Sequence, residues 1–346
     1  MDDFSVKLQH WYELYHRKLP WRETRDPYKI WLSEIILQQT QVIQGLSYYQ
    51  RFIEHYPTVA DLAAAELDQV LLLWQGLGYY SRARNLHAAA NQIMERFKGT
   101  FPDTYDDILA LKGVGEYTAS AVASFAFKLP YAVVDGNVFR VLSRIFGIQF
   151  PIDTGVGKRE FKILADALLD QEHPDMHNQA IMEFGALQCR PKNPDCPVCP
   201  FRTECAALKN DLIASLPFKS RKGTVRHRYF HYLKVTCGAS IAVEKRPAGD
   251  IWAELYQLPL IETSKAVEQS KLEEHTKWKQ LFSDKNVQEI ECSELITHQL
   301  SHQKLHTRFY HIVVKEQPEG LSFIHQDQLK QYAFPQLIYK YLNVNS

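Results

Sequence analysis

Two carboxylates in this 346-residue sequence lie among apolar residues and are candidates for acid–base chemistry. Glu34 stands in the apolar segment 31–37, whereas Asp135 follows the apolar segment 131–134 and precedes Gly136. Desolvation raises the pKa of a carboxyl group, so such a group can hold a proton at neutral pH and deliver it as a general acid. One protonated and one ionised carboxyl can together cleave a glycosidic bond. The alternatives are a glutamate on a solvated helix face and, for Asp135, a helix cap.

Four of the six cysteines crowd into one short segment, and they are Cys189, Cys196, Cys199 and Cys205. The chain starts with an acidic segment that lacks the features of a secretory signal, which favours a metal or cluster site over disulfides. Four thiolates at this spacing can enclose a [4Fe–4S] cluster or a tetrahedral zinc ion, and the residues alone leave both open. Cys237 and Cys292 stand apart and are expected to be ordinary interior residues.

Two glycines, Gly113 and Gly115, interrupt the helical pattern within the segment 111–119. Glycine lets the backbone turn sharply and approach a ligand closely. The next helix starts here, so its free N–H groups and its positive dipole end suit a DNA phosphate and need no base recognition. A tight turn between two helices is the alternative interpretation.

The elements that must position these residues are mostly helical up to about residue 215. Apolar residues at helical spacing begin at Phe4, and one long periodic run extends from Tyr28 to Ile53 after Pro27. Further helices are predicted at 60–74, 80–97, 104–111, 116–127, 137–146, 157–170 and 176–187.

The pattern changes after about residue 222. The segments 224–235 and 305–314 alternate loosely between apolar and polar residues, as half-buried strands do, and helices are predicted at 265–281 and about 335–343. The predicted organisation is a mainly α part with the cysteine loop at 189–205, a basic linker and an α+β domain, over residues 1–215, 216–226 and 227–346.

The composition, 45% hydrophobic and 23% charged residues, is that of an ordinary globular protein. No apolar stretch of about 18 residues or more occurs, so a cytoplasmic protein without a membrane span is expected. The net charge of zero counts mildly against a nucleic-acid binder, although phosphate contacts depend on local patches. Two basic groups occur, at 219–228 and at 82–98, and solvated surface or a linker is the alternative for each.

The hairpin segment 111–119 resembles the helix-hairpin-helix of DNA glycosylases, and the segment 134–140 resembles the catalytic aspartate loop of that superfamily. The segments 33–41 and 134–138 resemble the MutY-type adenine DNA glycosylases closely. The resemblance is strong over residues 18–207 and looser over 225–345. It implies a six-helix barrel and a cluster domain joined to an α+β domain, in a monomer associated with a bacterial nucleoid.

By this resemblance, Glu34 protonates the imidazole ring of an adenine, and Asp135 stabilises or covalently traps the sugar, with Asn137 and Tyr117 in support. Arg22 matches a residue that lines the adenine pocket. Tyr117 stands where endonuclease III-like lyases have a lysine that attacks the sugar, and a phenol cannot form the Schiff base. The resemblance therefore implies base removal with little intrinsic strand cleavage.

The same resemblance implies a set of DNA contacts, and these fall on Gln39, Leu77, Tyr79, Gly113 and Gly115. The first three match intercalating elements that replace the stacking lost when a base is flipped, and the two glycines match the phosphate-binding hairpin. Without the resemblance, Leu77 and Tyr79 would be interpreted as core residues. The cysteine spacing resembles the cluster loop of the family, which implies a [4Fe–4S] cluster with a structural or redox-sensing role.

The segment 242–259 resembles the Nudix-like C-terminal domain of MutY proteins, which recognises the 8-oxoguanine opposite the adenine. The metal-binding Nudix box is absent, so a Nudix hydrolase is not expected. Ser301 and His302 match the lesion-reading loop of the family, where Leu300 replaces the usual phenylalanine and alters the contact that its ring would make with the oxidised base. A plain connection between two strands is the alternative for this loop.

The implied partner is duplex DNA that contains adenine paired with 8-oxoguanine or guanine. One rival hypothesis is an endonuclease III-like lyase that acts on oxidised pyrimidines, and Tyr117 and the C-terminal domain argue against it. A second is a non-catalytic mismatch binder, against which Glu34 and Asp135 argue. A third is a zinc-stabilised transcriptional regulator, which a colourless purified protein would favour.

Overall fold

The computed structural model describes residues 2–220, 225–282 and 286–344 of the chain. Backbone contacts divide the chain into two compact units: unit 1 comprises residues 1–64 and 85–222, and unit 2 comprises residues 65–84 and 223–346. The segment 65–84 therefore groups with the C-terminal unit, a discontinuity that the residue pattern did not predict. Part of the predicted basic linker, 221–224, lies outside the described residues.

The chain is helical up to about residue 209, with a short 3-10 helix at Pro20–Arg22. The α-helices are α1 (Asp2–Tyr15), α2 (Pro27–Leu37), α3 (Val42–His55), α4 (Val59–Ala64), α5 (Leu67–Leu73), α6 (Ser81–Phe97), α7 (Tyr105–Leu109), α8 (Glu116–Phe127), α9 (Gly136–Phe146), α10 (Gly155–Leu168), α11 (Pro174–Leu187) and α12 (Ala206–Lys209). Within the described residues, no helix is both long and apolar enough to cross a membrane.

Helix α2 carries Glu34 and starts at a well-formed cap. The carboxylate of Asp26 accepts a hydrogen bond from the Tyr28 N–H, and Pro27 occupies the first helical position. The single helical run predicted over 28–53 was wrong, because α2 ends at Leu37 and α3 begins at Val42. Between them Gln39 has φ of 56°, a left-handed conformation that breaks the helix. The apolar periodicity resumes in α3 after the break, so residue spacing alone did not reveal it.

A cluster of buried aromatic and aliphatic side chains fixes α9 and α11, two helices that border Asp135. Residues of α1, α9, α10 and α11 share this core. Phe201 lies at its centre, with its ring 5.1 Å from Phe4 and 5.4 Å from Phe184. Because α9 is packed on several sides, the start of this helix is held in one position.

Unit 2 is built on a mixed sheet with β1 and β7 at its centre. Its elements are β1 (Arg226–Cys237), β2 (Ser240–Lys245), β3 (Tyr256–Gln257), β4 (Leu260–Thr263), α13 (Gln269–Glu273), α14 (Thr276–Leu281), β5 (Val287–Cys292), β6 (Ile296–Gln299), β7 (Gln303–Val314), β8 (Ser322–His325), a 3-10 helix (Gln326–Gln331) and α15 (Gln336–Val344). The two long strands pair in parallel, from Arg226 opposite Gln303 to Thr236 opposite Val313.

The predicted strands at 224–235 and 305–314 correspond to β1 and β7, apart from Thr224, which lies outside the described residues. The single helix predicted at 265–281 was wrong, because α13 ends at Glu273 and α14 starts at Thr276. His275 lies between the two helices. Its side-chain Nδ1 accepts a hydrogen bond from the Lys277 N–H and so caps the start of α14. Both faces of the sheet are covered: α15 packs on one apolar cluster and α13 and α14 on the other.

Candidate active site

Unit 1 encloses an open cavity of about 810 Å³ that is lined by residues of α2, α8, α9, α10 and α11. Small-molecule sites commonly have volumes of about 300–1,000 Å³. Eight residues that the sequence singled out line this cavity, and they are Arg22, Glu34, Gln39, Gly113, Gly115, Tyr117, Asp135 and Asn137. The two carboxylates are therefore brought to one site, although 100 residues separate them in the chain.

Glu34 is buried at the wall of this cavity, with 6% of its surface exposed. The Tyr117 hydroxyl donates a hydrogen bond to its Oε2 at 2.6 Å. Burial raises the pKa of Glu34 to about 7, while the Tyr117 hydrogen bond lowers it, the charge of Asp135 raises it and Arg22 lowers it. This carboxyl group is therefore protonated in a large fraction of molecules at neutral pH and can act as an acid.

Asp135 caps α9 and also lines the cavity. Its Oδ1 accepts the N–H groups of Asn137 and Val138, both at 2.8 Å, and its Oδ2 accepts the Asn137 side-chain amide at 2.7 Å. Burial raises the pKa of Asp135 above its ordinary value, and these three hydrogen bonds and the charge of Arg140 offset part of that rise. The donors stabilise the ionised form, in contrast to Glu34, whose carboxylate accepts one hydrogen bond from a phenol.

A third carboxylate that lines the cavity, Glu183 on α11, is buried and holds two arginines. It is 1% exposed and accepts hydrogen bonds from the Arg17 guanidinium at 2.8 and 2.6 Å and from Arg22 at 2.8 Å. Burial opposes ionisation, but the hydrogen bonds from Arg17 and Arg22 lower the pKa of Glu183 to about 2. Sequence reasoning missed Arg17 and Glu183, although Glu183 lies between apolar residues of its helix as Glu34 does.

Hydrogen bonds through Arg140 link the segment around Asp135 to the cysteine segment. The Arg140 guanidinium, which is buried, donates to the Asn137 Oδ1, the Gly185 carbonyl and the Cys189 carbonyl, each at 2.7 Å. Asn137 in turn donates to Asp135. The orientation of the Asn137 side chain, which donates to Asp135, is therefore fixed through Arg140 by carbonyls in the last turn of α11 and just after it.

The hairpin 110–115 connects α7 and α8 and contains two glycines. Close packing requires a glycine at only one of these two positions. Gly113 has φ of 77°, and a Cβ atom there would lie 2.5 Å from the Cβ of Asn85. Gly115 caps α8 with φ of −105°, and a Cβ atom there would meet no other atom within 4 Å.

We expect Gly113→Ala to destabilise unit 1 by about 2 kcal/mol, because it adds both backbone strain and a steric clash. Thermal unfolding of the full chain measures this effect. Gly115→Ala is the matched control, and its unfolding temperature should stay near the wild-type value. Equal unfolding temperatures for the two variants would contradict the packing argument.

The predicted intercalating residues of unit 2 differ in exposure. Leu77 is 7% exposed, whereas Tyr79 is 47% exposed and has φ of 49°. The Tyr79 hydroxyl hydrogen-bonds to the hydroxyl of Ser301 in the turn between β6 and β7. Ser301 and His302 are exposed in this turn, and Leu300 packs against the apolar cluster that contains Phe309. Tyr79 and Ser301 thus form one continuous polar and aromatic surface.

All four clustered cysteines line one small cavity next to Phe184 and Ile145. The Arg144 guanidinium, 2% exposed, contacts the Cys189 sulfur at 3.5 Å and donates to the carbonyls of Arg190 and Pro191. Across residues 2–220, 225–282 and 286–344, no three His, Cys, Asp or Glu side chains are arranged around a single metal ion. Tetrahedral zinc requires sulfurs about 2.3 Å from one point, whereas a cubane cluster distributes four thiolates over four iron atoms.

Comparison with protein families matches residues 32–161 to the HhH-GPD superfamily of base excision DNA repair proteins, and residues 231–344 to the NUDIX domain. A solved thermostable thymine-DNA glycosylase is 28% identical to this chain, with a TM-score of 0.57 over 60% of this chain and 96% of that structure. The fold and the site thus define a helix-hairpin-helix base excision repair protein with a Nudix-like domain. The fold class predicted from the sequence is confirmed.

Two curated relatives from Buchnera aphidicola are named adenine DNA glycosylase. The relative from the Baizongia pistaciae strain is 37% identical over 258 residues, which are 74% of this chain and 73% of the relative. The relative from the Schizaphis graminum strain is 33% identical over 304 residues, 88% of this chain and 85% of the relative. The chain belongs to the MutY-type adenine DNA glycosylases and is an enzyme that hydrolyses N-glycosyl bonds of adenine in DNA.

Proposed function

We propose that this enzyme removes adenine paired with 8-oxoguanine or guanine from duplex DNA, and that it leaves the DNA strand uncut. The observation that carries this proposal is the pair of carboxyl groups in one cavity, which differ in the number of hydrogen bonds that they accept. Glu34 has a pKa raised to about 7, and Asp135 accepts three hydrogen bonds that favour its ionised form. A pair of this kind assigns the acid and the stabilising anion of glycosidic cleavage.

In the proposed mechanism the adenine leaves as a neutral base because Glu34 protonates a nitrogen of its imidazole ring. The bond between the base and C1′ of the sugar breaks, and its electron pair goes to the base. The oxocarbenium-like sugar that forms is stabilised by the carboxylate of Asp135, which Asn137 orients through its side-chain amide. Water then adds to C1′, either directly or after a covalent bond to Asp135, and gives the abasic site.

Recognition of the adenine falls to the opposite wall of the cavity. Arg22 lines the cavity and is held by Glu183 and by the carbonyl of Arg17. Glu183 stays ionised because its pKa is lowered to about 2, so it fixes both arginines. A guanidinium that is already held in place by other groups loses little conformational entropy when it hydrogen-bonds the edge of a base.

The absence of strand cleavage rests on the residue beside Glu34. Tyr117 hydrogen-bonds to Glu34 at the position where a lyase has a lysine, and its phenol cannot form a Schiff base with the sugar aldehyde. Two described lysines also line the cavity, Lys158 and Lys162. Both belong to α10, and neither is at the position of Tyr117 on α8. The abasic product should therefore persist until alkali or another enzyme cleaves it.

DNA opening and lesion reading are proposed to use residues of both units. In unit 1, Gln39 is exposed with a left-handed backbone, and the hairpin at Gly113 and Gly115 presents N–H groups at the start of α8. In unit 2, Tyr79 is the exposed wedge, because Leu77 is buried in this conformation. Ser301 and His302 would contact the purine opposite the adenine. Leu300, which stands where the family has a phenylalanine, would make no aromatic contact with that purine.

We also propose that Cys189, Cys196, Cys199 and Cys205 hold a [4Fe–4S] cluster. Their common cavity is lined mainly by apolar side chains, and the donor set consists of four thiols. When bound, the cluster would cross-link the segment 189–205 and supply either structural support or redox sensing. Broad visible absorbance of the purified protein would support this cofactor, and a colourless protein that contains zinc would refute it.

The experiment that tests the proposed function is single-turnover adenine release from duplexes with adenine opposite 8-oxoguanine or guanine, with and without alkali. We expect faster release opposite 8-oxoguanine, and strand cleavage only after alkali. Ser301→Ala should reduce the ratio of the two rates by up to about tenfold while it preserves release opposite guanine, because one hydrogen bond to the lesion is lost. Equal wild-type rates on both duplexes would remove the lesion-reading role of this loop.

A further inference from the structure

Three rings stack on one face of the sheet of unit 2, at the end where β1 and β7 begin. The ring of His306 lies 5.2 Å from that of His227 and 4.8 Å from that of Tyr229, with interplanar angles of 17° and 15°. The His227 Nδ1 and the His306 Nε2 are 2.9 Å apart, so the two imidazoles share a hydrogen bond. We call these three residues the imidazole stack.

Cationic and neutral groups surround the imidazole stack. Lys304 lies on the same face of the sheet, opposite His227 on β7, and among the described residues no carboxylate forms an ion pair with it. Arg226 precedes His227 at the start of β1. The neighbours on adjoining strands are uncharged: Thr263 on β4 lies opposite Tyr229, and Thr297 and Gln299 on β6 lie opposite His306 and Lys304.

The nearest acidic side chains are already bound to other groups. Glu268 pairs with Arg308 at 3.6 Å. Glu262 accepts two hydrogen bonds from Arg228, whose side chain contacts Phe230 on the opposite face. The other titratable groups near this face are His275, which lies toward the buried His231, and the exposed His302. The surface therefore carries positive charge that the described side chains leave unmatched.

The imidazole stack is continuous with the turn that carries Ser301 and His302. The Arg226 N–H donates to the His302 carbonyl at 3.0 Å, directly before His227 on the same strand. We propose that the imidazole stack binds the phosphate backbone of the DNA strand whose base contacts Ser301 and His302. This inference rests on the proposed function, because it uses that turn as the point where DNA meets unit 2.

Binding of a phosphate should draw a proton onto the imidazole pair. In the free protein the pKa of His306 lies below its ordinary value because of burial, His227 and Lys304, so His306 is largely uncharged at neutral pH. A phosphate stabilises the protonated pair, in which one N–H joins the rings and the remaining N–H groups are free to donate. DNA affinity should therefore rise as the pH falls.

The test compares wild type with the double variant His227→Gln/His306→Gln in equilibrium binding to a fully paired duplex and to a mismatched duplex. We expect wild type to bind both duplexes about three- to tenfold more tightly at pH 6 than at pH 8, since about one proton is taken up. The double variant should lose most of this change in affinity. At pH 6, the slope of its log binding constant against log salt concentration should be shallower than that of wild type by about one unit. His10→Gln, an exposed histidine of α1, is the control and should behave as wild type.

A third variant separates charge from folding. His306→Lys supplies a permanent cation, so it should bind DNA tightly with little change between pH 6 and pH 8, at an unchanged unfolding temperature. The ratio of adenine release opposite 8-oxoguanine and guanine should stay at the wild-type value in all stack variants, which distinguishes this proposal from the role of Ser301. Identical pH and salt dependence in wild type and the double variant would overturn the proposal.

Discussion

Glu34→Gln is expected to lower the single-turnover rate of adenine release by about 10³-fold, because general acid catalysis contributes roughly 10²–10⁴-fold. The substitution preserves size, and the amide oxygen can still accept the hydrogen bond that Tyr117 donates to Glu34. Duplex affinity and unfolding temperature should therefore remain near the wild-type values. Rapid-quench measurement of released adenine, with enzyme in excess over DNA, gives the rate of this step.

The pH dependence of the same rate identifies the acid. Because burial raises the pKa of Glu34 to about 7, the protonated form predominates below that pH, and the rate should fall about tenfold per pH unit well above it. Tyr117→Phe removes the hydrogen bond that lowers the pKa of Glu34, so the decline should move to higher pH. A decline that keeps its position in Tyr117→Phe, or that persists in Glu34→Gln, would assign the acid to another residue.

Glu116→Gln provides the matched control for charge. Glu116 also lines the cavity and precedes Tyr117, but it is exposed. Its replacement removes a carboxyl group from the cavity lining, as Glu34→Gln does, but takes away no buried proton donor. We expect less than about a threefold change in the rate of adenine release, since exposed charges act weakly through solvent.

Local sequence patterns predicted the parts of the site that depend on neighbouring residues. Asp135 before a glycine and an asparagine indicated a helix start, and α9 begins there with Asp135 as its cap. The apolar segment around Glu34 indicated burial, and the residue is buried. Helix α8 was predicted at 116–127 and spans those residues, because glycines bound it on one side and a left-handed Lys128 ends it on the other.

Features that depend on contacts between distant segments could not be predicted in this way. The hydrogen bonds of Glu183 with Arg17 and Arg22 join residues more than 160 positions apart. The parallel pairing of β1 with β7 also joins distant strands, and it alone brings His227 beside His306. Residue spacing gives no indication that Glu34 and Asp135 lie in one site, and only the resemblance to a family predicted this.

Asp135→Asn is expected to reduce adenine release by about 10³-fold, because it removes the charge that stabilises the sugar cation. Asparagine is as good a helix cap as aspartate, so its side-chain oxygen can keep the bonds from the N–H groups of Asn137 and Val138. The amide nitrogen would face the donor of the Asn137 side chain, which now bonds to Oδ2, so a small loss of stability is expected. The measurements are single-turnover release and thermal unfolding of the same preparations.

Asp135→Ala separates the two roles of this residue. It removes the charge and also both backbone caps of α9, which adds roughly 1 kcal/mol of destabilisation from the lost cap. If the charge carries catalysis, the alanine and asparagine variants should be equally slow in adenine release while they differ in unfolding temperature. If Asp135 only holds α9 in place, activity should follow stability, and the asparagine variant should keep most of its rate. Comparison of the two variants therefore decides between an electrostatic and a purely structural role for Asp135.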